Sequence, residues 1–167
     1  LITFLLNSAG QDAGKVLFWL LGSFVGADWT KVAILFIACA LGGSALFAIA
    51  RPLTIFSVGE ESAARLGVET ERLKWFVLIA GCALAASAVA SVGIIGFVGL
   101  FVPHIARKFV GPDVRVLLPA CVLLGAAVLI AADLIAQRAI PGTDVNVGIV
   151  TAIIGAPFLI VAMRRRT

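Results

Sequence analysis

The sequence predicts an all-α, polytopic transmembrane helical bundle, and three observations carry that prediction. Hydrophobic residues make up 62% of the 167 and charged residues 13%, with a mean hydropathy of +1.15. Such a balance lies outside soluble globular domains. The apolar residues fall into long runs, expected to span at about residues 32–50, 75–91, 94–107, 117–136 and 147–163. The charges are gathered into islands between these runs, and residues 51–74 alone hold eight of them. The net charge of +4 does not point to nucleic acid, because most basic residues flank apolar runs, where lipid headgroups account for them.

Taken in order, Leu1–Leu6 reads as the tail of a helix whose beginning is missing, so the chain is expected to be a fragment. NSAGQDAG breaks it, and KVLFWLLGSFVGADW is too short and interrupted to span; Trp19 and Trp29 suit a bilayer interface. Val32–Ala50 is the first full span, 19 residues without a charge, or about 28 Å of helix. Gly42, Gly43 and Ser44 give it a small-residue face for close packing. Pro52 is expected to stop this helix.

Residues 51–74 form the longest polar island and must face water. Within them SVGEESAARLGV predicts a short helix, with Ser57 as N-cap, Glu60 and Glu61 in the first turns and Gly67 as its C-terminal stop. Thr70 is the expected N-cap of the next span, and Trp75 lies at its interface. From Trp75 to Ala106, 32 residues carry no formal charge apart from the titratable His104. Lys74 and Arg107–Lys108 both favour the cytoplasm, so the segment should cross and return. That length is too short for two full spans, and the break is expected at SVGIIGFVG, where Gly93, Gly96 and Gly99 recur every three residues. Broken backbone beside protein or a water-filled path and helix-packing glycines are both compatible with this spacing. GPDVRVLLP is a cytoplasmic turn, Gln137–Asn146 an external loop, and Gly155 and Pro157 interrupt the last span. This topology places ten of the thirteen Lys and Arg residues in the cytoplasm, with the C-terminus.

No nucleophile–base pair, phosphate-binding loop, metal cluster or paired carboxylate is present in the sequence, so it predicts neither an enzyme nor a metal site. Cys39, Cys82 and Cys121 read as buried apolar thiols. His104, beside Pro103, reads as a packing or hydrogen-bonding residue. Asp133 lies within a span and is a functional candidate, though a hydrogen bond to a neighbouring helix explains it equally well. An ion pair with Arg138 is not expected, because five residues turn the helix by roughly 140°. The terminal Arg164–Arg166 suits an anchor on anionic lipid.

GFVGLFVPHIARKFVG, then DVRVLLPACVLLGAAVLIAADLIA, then VGIVTAIIGAPFLI, together with FWLLGSFVGADW and VGEESAARLGV, closely resemble the C-terminal half of FecCD-type permeases. These are membrane subunits of ATP-driven importers for ferric siderophores, haem and cobalamin. The resemblance implies half of a ten-span permease in the bacterial inner membrane, working as a homo- or heterodimer. It further implies two cytoplasmic ATPase subunits, which bind the ATP, and a periplasmic or lipid-anchored substrate-binding protein. No cofactor is expected on the chain itself. Residues 51–74 become the loop whose short helix couples to the ATPase, with Gly59, Glu60, Glu61, Ala63, Arg65, Leu66 and Gly67 as the coupling set. Gly93, Gly96, Phe97, Gly99, Pro103, His104, Gly155 and Pro157 are expected along the translocation path or in its packing. Two departures fall on the external side. Gln137 stands where the family usually has arginine, with Arg138 one residue on, and Asp144-Val145-Asn146-Val147-Gly148 replaces the usual Glu-x-Pro-Val-Gly. Docking of a binding protein through Gln137, Arg138 and Asp144 is then either lost or directed to a differently shaped partner. The expected cargo is a ferric siderophore or related iron chelate. A secondary transporter and a non-transporting fragment are the competing expectations.

Overall fold

The computed structural model describes residues 20–139 and 146–164, with side chains through Arg138 and from Asn146 to Pro157. The features expected at residues 1–19, at Asp144 and at Arg165–Arg166 lie outside these. Regular structure among the described residues is helical: α1 (Trp29–Ala48), α2 (Ala50–Phe56), α3 (Glu60–Arg65), α4 (Thr70–Val92), α5 (Val98–Val110), α6 (Val114–Ala139) and α7 (Val147–Arg164). Within them α1, α4 and α6 are long and apolar enough to cross a membrane, and the described part of α7 is a shorter apolar helix. α4 and α6 overrun the expected apolar runs at both ends, and α1 starts three residues early and ends two short.

Several ends differ from expectation. The break after α1 falls at Ile49, whose φ of −98° and ψ of 13° leave the helix. Pro52 does not cause it; it sits in the first turn of α2, where its missing N–H has no intrahelical acceptor to lose. Ser57 is not an N-cap but the C-cap of α2, its Oγ donating to the Thr54 carbonyl at 2.7 Å. Gly59 occupies the N-cap of α3 and Glu69 that of α4, which moves Thr70 to the first helical position. At 13 residues α5 is about 20 Å long, and it starts at Val98, four residues after the expected span.

α1 packs along α4, and α6 packs against α5, α7 and α2. The α1–α4 contact is close at one small residue: a Cβ on Gly42 would lie 2.7 Å from Leu84 Cδ2, whereas Gly43 has nothing within 4 Å. The bundle therefore has two distinct ends. At one, α2 and α3 lie beside the starts of α4 and α6. At the other, Ala132 and Ala136 of α6 meet Val147 and Val150 of α7, with Phe24 packed on them. Much of the remaining apolar surface is open, and Cys39 and Cys82 are exposed where burial was expected; Cys121 is half-buried. An apolar run in such a bundle marks a face for lipid or another chain as readily as an interior.

Candidate functional site

The polar end is built on α3. Glu60 and Glu61 occupy its first turn and Arg65 its last, an order that complements the helix dipole. Arg65 pairs with Glu61 at 2.8 Å, both side chains exposed. Ala63, fully buried, is the face turned inward. The helix ends in a Schellman motif: the Gly67 N–H donates to the Ala64 carbonyl at 3.0 Å and the Val68 N–H to the Ala63 carbonyl at 3.0 Å. Gly67 takes φ +82°, the left-handed conformation this cap requires. Val58, 80% exposed, and Leu66, 70% exposed, stand at the two ends of this charged helix.

This unit is fastened at two places. Glu60 pairs with Lys74, which also lies 3.5 Å from Glu71 and 6.0 Å from the centre of the Phe56 ring. Thr54 of α2 reaches the start of α6, where its Oγ1 accepts the Val114 N–H at 3.1 Å. The single hydroxyl proton faces two acceptors, the Ala50 carbonyl at 2.9 Å and Asp113 Oδ1 at 3.3 Å. Asp113 caps α6 through Oδ1, which accepts the Arg115 N–H at 3.0 Å. Between α2 and α4 lies an apolar groove of about 540 Å³, floored by Ile55, Leu73 and Phe76 and carrying Arg51 and Arg72.

The opposite end is built on the break between α4 and α5. Gly93 ends α4 with φ 78°, and Phe97, with φ 68°, is a left-handed residue with a side chain. Such a conformation costs about 1–2 kcal/mol outside glycine. Phe97 fits because Gly155 is bare: a Cβ there would collide with Phe97 Cβ and lie 2.7 Å from its Cγ. Residues 22 and 23 close over the break. The Ser23 N–H donates to the Val92 carbonyl at 2.9 Å, and the Gly148 N–H to the Gly22 carbonyl at 3.4 Å. Next to this contact Asn146 is buried, its Oδ1 without a hydrogen-bond partner among the described residues.

The structure thus gathers Gly59, Glu60, Glu61, Ala63, Arg65, Leu66 and Gly67 into one unit around α3. Gly93, Gly96 and Phe97 lie in the break, and Gly155 meets Phe97 across it. Gly99 falls in the first turn of α5; Pro103 is half-buried further along α5, and His104 and Pro157 are exposed on α5 and α7. At the end of α6, Gln137 Nε2 donates to Asp133 Oδ2 at 2.7 Å. Among the described residues, the hydrogen-bond partner of Asp133 thus lies on its own helix, and Arg138 is exposed. Sequence reasoning missed Thr54, Val58 and Asn146. Asp113 followed by an apolar run was a legible cap signal, whereas nothing local paired it with Thr54, 59 residues away.

A helical bundle with membrane-length apolar helices, a broken pair and a polar loop unit has the architecture of a polytopic membrane protein. Residues 1–165 match the FecCD transport family, and the chain belongs to that family. It is 42% identical over 164 residues to a cobalamin import system permease protein of Halobacterium salinarum, covering 98% of this chain and 44% of the relative. It is 38% identical over 167 residues to an Fe(3+) dicitrate transport system permease protein of Escherichia coli, covering 98% and 52%. A solved structure described as an inward-facing metal-chelate type ABC transporter superposes with a TM-score of 0.85 at 34% identity, over 93% of this chain and 51% of that one. The chain spans about half the length of the curated relatives it matches.

Proposed function

We propose that this chain forms part of the membrane permease of an ATP-driven importer for a chelated metal compound, and that α3 is its docking surface for a cytoplasmic ATPase. The observation that carries the reading is the α2–α3 unit. It is a short helix fixed by a Schellman cap, with charged and apolar side chains exposed outward and polar ties to α4 and α6 behind it. A rigid element of this kind transmits a push as a body instead of absorbing it. Gly59, Glu60, Glu61, Ala63, Arg65, Leu66 and Gly67 form the docking set, with Val58 added as a second apolar anchor. The relatives named for cobalamin and Fe(3+) dicitrate support a bulky metal chelate as cargo, and an iron chelate is the specific reading.

On this reading the working assembly holds a second permease subunit, two ATPase subunits and a substrate-binding protein in a bacterial inner membrane. The loop 51–74 and the C-terminus face the cytoplasm, supported by the bias of Lys and Arg toward that side. Gly96, Phe97 and Gly155 lie beside the translocation path or in the packing that shapes it, while docking at Gln137, Arg138 and Asp144 requires a differently shaped binding protein. The test uses the full-length permease reconstituted with its ATPase and binding protein. Uptake of ferric citrate and of cyanocobalamin is measured with active ATPase and with a hydrolysis-dead one. The reading requires ATP-dependent uptake of a metal chelate; uptake that continues with the dead ATPase overturns it.

A further inference from the structure

We infer that Thr54 is a positioning residue that carries movement of the α2–α3 unit into α6; this rests on the importer reading above. The first N–H groups of a helix have no acceptor within it. In α6 the Val114 N–H is met by a side chain from another helix, Thr54 Oγ1 at 3.1 Å, while the same oxygen lies 3.3 Å from the capping carboxylate of Asp113. The start of α6 is thus completed by the loop unit and cannot shift away from it without exposing a donor.

The second tie, between Glu60 and Lys74, joins two long side chains of which more than a third is exposed. Rotamer freedom and solvent screening make such a tie compliant. Thr54 is the stiffer link, because a β-branched side chain has a single, restricted torsion between backbone and hydroxyl. Beyond it α6 continues as one helix of 26 residues, with Pro119 in its second turn, about 39 Å. Its far end packs Ala132 and Ala136 on Val147 and Val150, beside the contact between Gly148 and Gly22. A displacement entering at α3 therefore has a route along one helix to the broken end of the bundle.

The test needs no knowledge of the cargo. The full-length permease, in a cysteine-free background, carries Leu134→Cys near the far end of α6 as a spin-label site and is assembled with its ATPase in lipid nanodiscs. The distance between the two α6 labels is measured without nucleotide and after trapping with ATP and vanadate, alongside ATP hydrolysis. Thr54→Val keeps the side-chain shape and removes the hydroxyl; Thr54→Ser keeps the hydroxyl. The expected result is a nucleotide-driven shift in the parent and in Thr54→Ser. In Thr54→Val the shifted population falls at least about five-fold while hydrolysis persists, the low end of measured coupling effects. An undiminished shift in Thr54→Val overturns the inference. So does a loss of assembly in both Thr54→Val and Thr54→Ala, which leaves Thr54 a structural role only. A parent complex without any nucleotide-driven shift counts against the importer reading itself, and is seen before any Thr54 substitution is made.

Discussion

Gly155→Ala is expected to unseat the break between α4 and α5. The added Cβ would collide with Phe97 Cβ and lie 2.7 Å from Cγ and 3.3 Å from Cδ1, against about 3.5–4.0 Å for carbon atoms in contact. Phe97 must therefore withdraw by about 1 Å or more. Its Cβ is fixed to the backbone, so no rotamer change relieves the clash, and that backbone is already left-handed with φ 68°. Overpacking of this kind costs about 1–3 kcal/mol, which lowers the melting temperature of a domain of 150 residues or more by about 2–4 °C per kcal/mol. The assay is thermal unfolding of the purified full-length permease in detergent, for the parent, Gly155→Ala, Phe97→Gly and the double variant. Phe97→Gly removes both the ring and the left-handed penalty, so the clash should vanish in the double variant. A coupling energy of at least about 1 kcal/mol is expected, within the range for residues in contact. An unchanged melting temperature in Gly155→Ala, or additive effects in the double variant, would refute the notch.

Gly67→Val places a β-branched residue at φ +82° and should open the cap of α3; Glu60→Arg reverses the charge facing Lys74. Both are expected to leave the protein in the membrane and ATP hydrolysis running while uptake of ferric citrate or cyanocobalamin falls, and normal uptake at normal expression would count against the docking surface. Gly42→Val should separate α1 from α4 by pressing on Leu84, at about 1–3 kcal/mol, whereas Gly43→Val, with nothing within 4 Å of its Cβ position, should be nearly silent; equal melting temperatures for the two would undo that distinction. Gln137→Ala removes the 2.7 Å bond to Asp133 and should cost about 0.5–1.5 kcal/mol in thermal stability.

The elements most legible in the sequence were those set by local chemistry. The apolar runs announced α1, α4 and α6, and the glycine after a short charged segment announced the cap of α3, because Gly67 needs no partner beyond its own turn. Spacing at Gly93, Gly96 and Gly99 located the break, but its form depended on Gly155, more than fifty residues further on. The helix boundaries were the least legible. Pro52 and Ser57 both carry strong boundary signals, yet Ile49 ends α1 first, and a proline in the first turn or a serine at a helix end satisfies the same rules with the boundary moved. Cys39 and Cys82 lie free on open faces of apolar helices, where an apolar residue has two hydrophobic destinations, protein and lipid, that composition alone does not separate.

On the proposed reading, the distribution of ionisable groups bears on where the driving force enters. A transporter driven by ion gradients needs an ionisable side chain at membrane depth whose partners change between states. Among the described residues, the carboxylate of the acid in α6, Asp133, is instead held by Gln137, one turn along the same helix, an arrangement that moves with the helix. The charge is concentrated at the other end of the bundle, around a helix too short to be stable alone and therefore dependent on its cap and on its ties to α4 and α6. A short helix held in this way is costly to bend and cheap to move as a unit. On the proposed reading force arrives there from a soluble partner, and the membrane helices need only be stiff enough to pass it on. On that reading α6, a single helix of 26 residues with Pro119 in its second turn, carries the movement, and the broken α4–α5 pair, seated on Gly155, is the place where the far end can give.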